Sequence, residues 1–334
     1  MNVAIVHNSI TEDEGPDAKD VLAQVAVVRD ALVQSGHSVE VLPCSLNLEQ
    51  IVARLRETRT EMVFNLVESL DGHGRLIHLF PALLEALRLP YTGSSAAAIA
   101  TTSNKTEAKE VLRHAGLPTP AWIGPMVGRG GKTGGTPVDG VWIVKSQWEH
   151  ASLGMDAESV LQPESAAALF SILEQRAGSL GGSCFGEQFI DGREFNIALL
   201  AAKNEVEVLP AAEILFDDFS THMPRIVDYS AKWDETSFAY GHTPRRYDFS
   251  EDERPLLEKL VQLSKQCWHL FNLKGYARVD FRVDRDGQPW ILEVNTNPCL
   301  SPDAGFAAAL DQAGLSFTEA VGRILEDSLL PPHA

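Results

Sequence analysis

Two acidic side chains are predicted to face each other across a β-hairpin near the carboxyl end of the chain. Residues 276–296 read YARVDFRVDRDGQPWILEVNT, with two runs of alternating character on either side of an Asp-Gly pair. Such a pair between alternating runs is a strong hairpin signal. A two-residue turn at Asp286 and Gly287 places Asp280 directly opposite Glu293 on one face of the hairpin.

The chemistry of that face favours a divalent cation. The same register places Arg278 opposite Asn295, on the same side as the two acids. Carboxylates that face each other directly are destabilising unless a cation lies between them. The oxygen donors of Asp280, Glu293 and Asn295 suit Mg²⁺, which takes one or two protein carboxylates and completes its shell with water and phosphate. The pattern therefore predicts a magnesium ion that accompanies a nucleotide.

A solvated hairpin face is the competing interpretation. In that case Arg278 and Arg282 would balance the acids as exposed ion pairs, which contribute little to stability. The other face of the hairpin has the composition of a buried side, and its residues are Val279, Phe281, Val283, Leu292 and Val294. These residues alone leave both interpretations open.

The elements that precede the hairpin begin with a β-α-β alternation. Short apolar runs alternate with segments of helical spacing. The predicted strands are residues 3–6, 38–42 and 62–67, and the predicted helices are residues 21–34, 48–59 and 76–87. This alternation predicts an open parallel α/β domain at the start of the chain.

The rest of the chain predicts further α/β structure. The predicted helices are residues 105–114, 164–177 and 253–271, and the predicted strands are residues 141–146, 186–190, 194–201 and 205–210. Between them, residues 128–140 are so rich in glycine that we expect a mobile surface loop. A phosphate-binding loop is the other interpretation, but it needs a strand before it and a helix after it.

Composition excludes several classes of partner. The chain has 334 residues and a formal net charge of -18, with 46 acidic and 28 basic residues. This charge argues against nucleic acid or an anionic membrane as a surface partner, so any phosphate must be held locally. The 4 cysteines are scattered, and no segment resembles a signal peptide or a membrane span. We therefore expect a cytoplasmic protein.

An ordered series of motifs resembles the D-alanine–D-alanine ligases of the ATP-grasp superfamily. The clearest matches are YTGS at residues 91–94, REFNIA at 193–198 and EVNTNP at 293–298. Weaker matches lie between them in family order, among them NKTEAK at 104–109 and DYSAKW at 228–233. The resemblance implies an ATP-dependent ligase that converts a carboxylate to an acyl phosphate and joins it to an amine.

The resemblance also implies roles for individual residues. Arg278 would stabilise oxyanion charge and Lys232 would reach the γ-phosphate. The predicted ATP contacts are Lys105 and Lys145 at the phosphates, Ser152 in the phosphate-covering loop, and Glu187, Phe189, Ile190, Glu194 and Leu292 at the adenine and ribose. The predicted Mg²⁺ ligands are Asp280, Glu293 and Asn295. Residues 227–244 would form a lid that excludes water from the acyl phosphate.

The resemblance implies a three-part architecture. An N-terminal open parallel sheet domain (residues 1–98) would precede a central ATP-grasp lobe (99–183) and a C-terminal lobe with the metal site (184–334). The nucleotide would bind between the sheets of the two lobes. The predicted partners are small amino-acid-like substrates and a second copy of the chain in a homodimer.

The substrate end departs from the family pattern. The family's amino-terminal HGG motif with its glutamate is absent, and the usual loop serine and lid tyrosine are Ala151 and Trp233. Glu68 stands where the family has a histidine, and Asp303 lies near the usual second-substrate residues. We interpret Glu68, Trp233 and Asp303 as substrate contacts, and the extra carboxylates predict a substrate with a cationic or amine group. The alternative is that Glu68 and Asp303 cap helices or turns.

Three hypotheses follow from these residues. The first is an amino-acid or peptide ligase with an altered substrate pair. The second is a genuine D-alanine–D-alanine ligase of peptidoglycan synthesis, and the third is a nucleotide-binding regulator without catalysis. The complete set of Arg278, Lys232, Asp280, Glu293 and Asn295 argues against the third.

Overall fold

The structure is a computed structural model that describes residues 1–11, 13–125, 138–203 and 205–330. Most of the glycine-rich stretch 128–140, which we predicted to be a mobile loop, lies outside the described residues.

The chain opens with a parallel sheet, as predicted. Its 3 strands run in the order β2-β1-β3. The strands are β1 (Asn2–Asn8), β2 (Ser38–Cys44) and β3 (Met62–Leu66), and the helices are α1 (Pro16–Gln34), α2 (Leu48–Glu57) and α3 (Leu79–Leu87). The apolar runs of β1 and β3 are buried on both faces, which is typical of a parallel sheet covered by helices.

Two helices lead from this sheet to the centre of the molecule. Helix α4 (Ala96–Ser103), which the sequence analysis did not predict, ends at Asn104, where α5 (Lys105–His114) begins. The Asn104 side chain caps α5 by accepting a hydrogen bond from the Glu107 backbone amide at 3.3 Å. The predicted limits of α5 are confirmed, and residue 98, where we placed a domain boundary, lies inside α4.

The second sheet is antiparallel, with 4 strands in the order β4-β7-β5-β6. Its strands are β4 (Trp122–Ile123), β5 (Trp142–Ser146), β6 (Val160–Leu161) and β7 (Cys184–Gln188). Helix α6 (Ala166–Arg176) covers one face by burying Leu169 and Leu173.

The third sheet has 6 strands, with the path β11-β10-β8-β12-β13 and β9 paired to β8. The strands are β8 (Gly192–Ala201), β9 (Val206–Val208), β10 (Ala212–Ile214), β11 (Arg245–Arg246), β12 (Tyr276–Asp284) and β13 (Pro289–Asn295). The helices of this region are α7 (Tyr229–Trp233), α8 (Phe238–Gly241), α9 (Arg254–Leu270), α10 (Gly305–Ala313) and α11 (Phe317–Asp327).

One apolar core joins the first and third sheets. It contains Val28 of α1, Phe64 of β3, Tyr276 of β12 and Ile324 of α11. The sequence analysis did not predict α10 or α11, whose partners are distant in the chain. No helix in the described part of the chain has both the length and the apolar character that a bilayer crossing requires.

The hairpin of β12 and β13 has the predicted pairing of its acids, but its turn differs from the predicted one. Asp280 pairs with Glu293 and Arg278 pairs with Asn295. The predicted two-residue turn is wrong, because residues 285–287 form the turn and the Asp284 amide donates to the Gln288 carbonyl at 3.1 Å. That turn shifts the register by one residue, and a β-bulge between Asp280 and Phe281 shifts it back.

The bulge also changes the side on which one predicted core residue lies. Leu292 is the extra residue of β13, since Phe281 pairs with Ile291 and Asp280 pairs with Glu293. Ile291 is fully buried in the core position that we predicted for Leu292, and that prediction is wrong. Leu292 and Glu293 both line a cavity instead.

Candidate active site

A cavity of about 560 Å³ lies between the second and third sheets and extends towards the first. It contains every residue that the sequence analysis assigned to a site. These residues are Glu68, Lys105, Lys145, Ser152, Glu187, Phe189, Ile190, Glu194, Lys232, Trp233, Arg278, Asp280, Leu292, Glu293, Asn295 and Asp303. The structure therefore brings together side chains that are distributed over most of the sequence.

The carboxylates of the hairpin lie inside this cavity. Asp280 is 7% exposed, so the interpretation of a solvated hairpin face is wrong. Arg278 Nε and Nη2 donate to the two Asp280 carboxylate oxygens at 2.7 and 2.8 Å. Asn295 Nδ2 donates to Asp280 Oδ2 at 3.1 Å and to Glu293 Oε1 at 3.2 Å, so the amide nitrogen of Asn295 links the two predicted carboxylate ligands.

Cations surround Glu293 and keep it charged. Burial disfavours its charge, but Lys105, Lys232 and Arg278 act in the opposite direction and hold the pKa of Glu293 well below its usual range. The Lys105 Nζ atom lies 3.9 Å from Glu293 Oε2 and donates to the Glu149 carbonyl at 2.7 Å. The centre of the cavity thus alternates positive and negative groups, as a site for phosphate and metal requires.

One end of the cavity combines apolar side chains with two acids and their basic partners. Ile143, Phe189, Ile190 and Leu292 line it. Glu187, a residue of β7, lies between two lysines, with Lys145 Nζ 2.5 Å from Oε1 and Lys109 Nζ 2.5 Å from Oε2. Glu194, a residue of β8, lies 3.4 Å from the guanidinium of Arg282, which therefore balances Glu194 rather than the hairpin acids.

Two segments lie beside the cavity, the loop at residues 147–155 and residues 227–244. Ala151 and Ser152 both have positive φ, 58° and 60°, which turns the loop sharply beside the cavity. The Ser152 hydroxyl donates to the Val227 carbonyl at 2.8 Å, and Trp233 Nε1 donates to the Ala151 carbonyl at 3.2 Å. These two hydrogen bonds join the predicted lid, residues 227–244, to the loop that we predicted to cover the phosphates.

The other end of the cavity is more acidic than the sequence analysis indicated. Asp17 and Asp20 of α1 line it together with Glu68. Asp17 and Asp20 are one helical turn apart, and this spacing could have indicated that both lie on the same side of α1. The sequence does not show which part of the cavity that side faces. Within the described ranges, the side chains that donate hydrogen bonds to these acids are neutral: Tyr229 to Asp17, Cys299, Ser301 and Gln24 to Asp20, and Gln24 to Glu68.

Sequence reasoning also missed two basic residues. Lys109 is fully buried against Glu187 and lies one turn after Lys105, so helical spacing was the only signal for it. His150 lines the cavity, and burial together with Lys105 lowers its pKa to about 4. The imidazole is therefore neutral at neutral pH.

The acidic end predicts a pH effect on stability. Burial, with repulsion from Asp20 and Asp17, raises the pKa of Glu68 from 4.5 to about 7. Because the folded state binds this proton more tightly, the Glu68 contribution to stability falls as pH rises from 4.5 to about 7. A glutamine side chain does not titrate, so Glu68→Gln removes this loss of stability with rising pH. We expect the variant to equal the wild type near pH 4.5 and to be more stable at pH 8 by on the order of 2 kcal/mol in denaturant unfolding.

Equal stability of Glu68→Gln and the wild type across this pH range would contradict the raised pKa. Asp30→Asn is the matched control, because Asp30 is an exposed acid of the same α1 helix. Its effect on stability should not change between pH 4.5 and pH 8.

Comparisons with known proteins agree with this geometry. The family described as D-ala D-ala ligase C-terminus matches residues 141–326. A D-alanine–D-alanine ligase of Methylococcus capsulatus is 32% identical over 90% of this chain and 88% of its own length. An uncharacterized protein of Sinorhizobium fredii, y4sG, is also 32% identical, over 89% of this chain and 84% of its own length.

The fold has a counterpart among solved structures. The D-alanine–D-alanine ligase of Bacillus anthracis, solved in complex with ATP, superposes with a TM-score of 0.72. The two chains are 20% identical, and the match covers 98% of this chain and 97% of the other.

The shared architecture and the curated relatives make this protein an ATP-grasp enzyme of the class that forms carbon–nitrogen bonds. More narrowly, the chain belongs to the D-alanine–D-alanine ligase family. The predicted resemblance and fold class are thereby confirmed.

Proposed function

We propose that the protein uses ATP to activate the carboxylate of an amino-acid substrate as an acyl phosphate, and that a second substrate's amine then attacks it. The observation that carries the proposal is the Asp280–Glu293 pair, which lies in one cavity with Arg278 and Lys232. A carboxylate is a poor electrophile because its oxygen leaves badly. Transfer of the γ-phosphoryl group creates a good leaving group, and the amine then displaces phosphate.

The donor set fits a magnesium ion. Asp280 and Glu293 offer carboxylate oxygens, the Asn295 side chain has an amide oxygen besides the nitrogen that contacts them, and three basic groups that suit phosphate lie beside this cluster. We propose that these three residues hold Mg²⁺ together with the nucleotide. When bound, the ion would neutralise charge on the phosphate oxygens.

The basic residues of the chain are proposed to position and neutralise the reacting groups. Lys105 and Lys145 would hold the phosphates, and Lys232 would reach the γ-phosphate from α7. Two parallel hydrogen bonds to Asp280 hold the Arg278 guanidinium in place, and its remaining N–H groups would stabilise the oxyanion that forms at the reacting carboxyl group. The contacts of residues 227–244 with the phosphate-covering loop support their role in excluding water.

The adenine and ribose are assigned to the apolar end. Phe189, Ile190 and Leu292 would contact the base, and Glu187 and Glu194 would accept hydrogen bonds from its amino group and from the sugar hydroxyls. Ser152 and the neighbouring amides are proposed phosphate donors.

The acidic end supports a substrate with a second amine. Asp17, Asp20 and Glu68 line the wall of the cavity, and neutral groups donate the hydrogen bonds that they receive. These three acids are partly buried, and holding several partly buried carboxylates side by side is costly unless a cation joins them. We infer that one substrate carries a cationic group at this end, with Trp233 and Asp303 as further contacts.

D-Alanine–D-alanine synthesis is the second candidate, because that activity is named for several relatives at about 30% identity. The test measures ADP release with D- and L-amino acids, including alanine and the diamino acids lysine and ornithine. We expect a diamino acid to give the highest kcat/KM. Fast turnover with D-alanine as the sole amino acid would contradict the altered substrate pair.

A matched pair of variants sharpens this test. Glu68→Gln should lower kcat/KM for the diamino acid by about tenfold or more, because it removes a buried charge that would pair with the substrate. Asp30→Asn, on the exposed side of α1, should leave kcat/KM unchanged.

Tight ATP binding without ADP release on any amine would instead favour a non-catalytic regulator. The homodimer, the cytoplasmic location and the three domain limits stay predictions.

A further inference from the structure

Lys109 holds a charge that the reaction itself does not require. Its side chain is 1% exposed, and its Nζ atom lies 2.5 Å from Glu187 Oε2. Lys109 Nζ also donates to Thr119 Oγ1 at 2.8 Å and lies 5.8 Å from the centroid of the Trp122 ring. An ammonium group is costly to bury, so these partners must compensate for the water it has lost.

Glu187 has a second lysine that faces the cavity. Lys145 Nζ lies 2.5 Å from Glu187 Oε1, and its side chain is 17% exposed, whereas that of Lys109 is 1% exposed. Under the proposed function Lys145 turns towards the phosphates when ATP binds. Lys109 is then the remaining cation beside a carboxylate whose side chain is only 2% exposed.

A carboxylate without a cation at this position would gain a proton. Burial alone disfavours its charge, whereas Lys109 and Lys145 together hold the pKa of Glu187 below its usual range. A protonated Glu187 would have one O–H donor and a weaker, neutral acceptor oxygen, whereas the ionised carboxylate accepts with both oxygens. The amino group of adenine needs an acceptor.

Lys109 also connects the two sheets that enclose the cavity. Thr119 Oγ1, which accepts from Lys109, donates to the Ile291 carbonyl at 2.8 Å. Ile291 immediately precedes the bulge residue Leu292. The chain of contacts therefore joins Glu187 of the second sheet to the part of the third sheet that lines the apolar end.

We propose that Lys109 is a positioning residue for base recognition: it keeps Glu187 ionised and in place so that the carboxylate accepts a hydrogen bond from an amino-substituted purine. This inference rests on the proposed function. It assigns Lys109 no contact with ATP, and its effect must therefore pass through Glu187.

The experiment compares ATP with inosine triphosphate, which has a carbonyl oxygen in place of the adenine amino group. Titration calorimetry gives the Kd of each nucleotide, and steady-state kinetics give KM and kcat. In Lys109→Met we expect the preference for ATP over inosine triphosphate to fall about tenfold, with KM for ATP raised more than kcat is lowered. Lys109→Arg should keep most of the preference because it keeps the charge.

Arg113→Met is the matched control. Arg113 lies one turn further along α5, with its guanidinium carbon 5.2 Å from the centroid of the same Trp122 ring, but its carboxylate partner is the exposed Glu110. Its removal should leave the nucleotide preference unchanged. A folded Lys109→Met protein with the wild-type preference would overturn the inference, while ATP binding by the wild type would leave the proposed function intact.

A double variant covers the case in which Lys109→Met does not fold. Glu187→Gln removes the buried charge, so adding Lys109→Met to it leaves no fully buried ion unpaired at this position; the remaining cation, Lys145, faces the cavity. If Lys109 acts through Glu187, the double variant has the same nucleotide preference as Glu187→Gln alone. A further change in preference would overturn the inference. A wild-type protein that binds neither nucleotide would instead reject the proposed function on which it rests.

Discussion

Replacing Glu293 with alanine is expected to lower kcat for ADP formation by about 100-fold or more. Glu293 is one of the two opposed carboxylates of the hairpin, and three cations in the cavity keep it ionised. Its removal leaves Lys105 without its nearby carboxylate, weakens the negative charge that balances Lys232, and deprives the proposed magnesium site of a ligand. The measurement is ADP release at saturating substrates, with Mg²⁺ varied over a wide range.

The control for Glu293→Ala is Asp286→Asn in the turn of the same hairpin. Asp286 is exposed, so its replacement should leave kcat unchanged. Asp286→Asn should unfold close to the wild-type temperature, whereas Glu293→Ala should unfold at a lower temperature because it leaves the buried Lys105 without its carboxylate partner. The kcat values are therefore compared at a temperature at which both variants are folded. A Glu293→Ala protein that retains wild-type turnover at low Mg²⁺ would contradict both the metal site and the assigned chemistry.

Arg278→Met is expected to reduce kcat by roughly 100- to 1,000-fold, the usual effect of removing a donor to a developing oxyanion. The variant should also lose stability, by about 3 kcal/mol or more, because Arg278 makes both of its carboxylate hydrogen bonds to the buried Asp280. Kinetic and stability effects can be separated with Arg278→Lys, which keeps the charge but loses the paired geometry. The measurements are single-turnover ADP formation and denaturant unfolding.

The control for Arg278 is Arg285→Met. Arg285 pairs with Asp191 at the exposed tip of the hairpin, with 84% of its side chain accessible, and such pairs contribute little to stability.

The Kd for ATP should change far less than kcat in Arg278→Met, because the guanidinium is assigned to the reacting carboxyl group. Wild-type kcat in a folded Arg278→Met protein would reject that role.

Local patterns were sufficient for many of the elements and for the central pairing. Asn104 and Glu107 marked the start of α5 correctly, since a cap and a helical repeat are properties of neighbouring residues. The alternating runs on either side of the Asp-Gly pair predicted that Asp280 faces Glu293. That success depended on two compensating features, because the turn and the bulge each shift the register by one residue in opposite directions.

Other features depended on contacts between distant segments. The apposition of Asp20 to Glu68, and of Lys109 to Glu187, joins elements that only the packed fold brings together. No local repeat encodes such distances. Helices α10 and α11 were missed for a related reason: α11 is stabilised mainly by its apolar face against α1, which lies at the other end of the chain.

The amino-acid sequence by itself determined the order of the elements, the opposed acids and the family resemblance, because periodicity, turn chemistry and ordered motifs are readable one segment at a time. Tertiary structure alone decided that the assigned residues share one cavity, that Leu292 lines this cavity rather than the core, and that its far end is acidic. The physical reason is that burial and electrostatic environment depend on which surfaces pack together, and packing is a property of the whole chain.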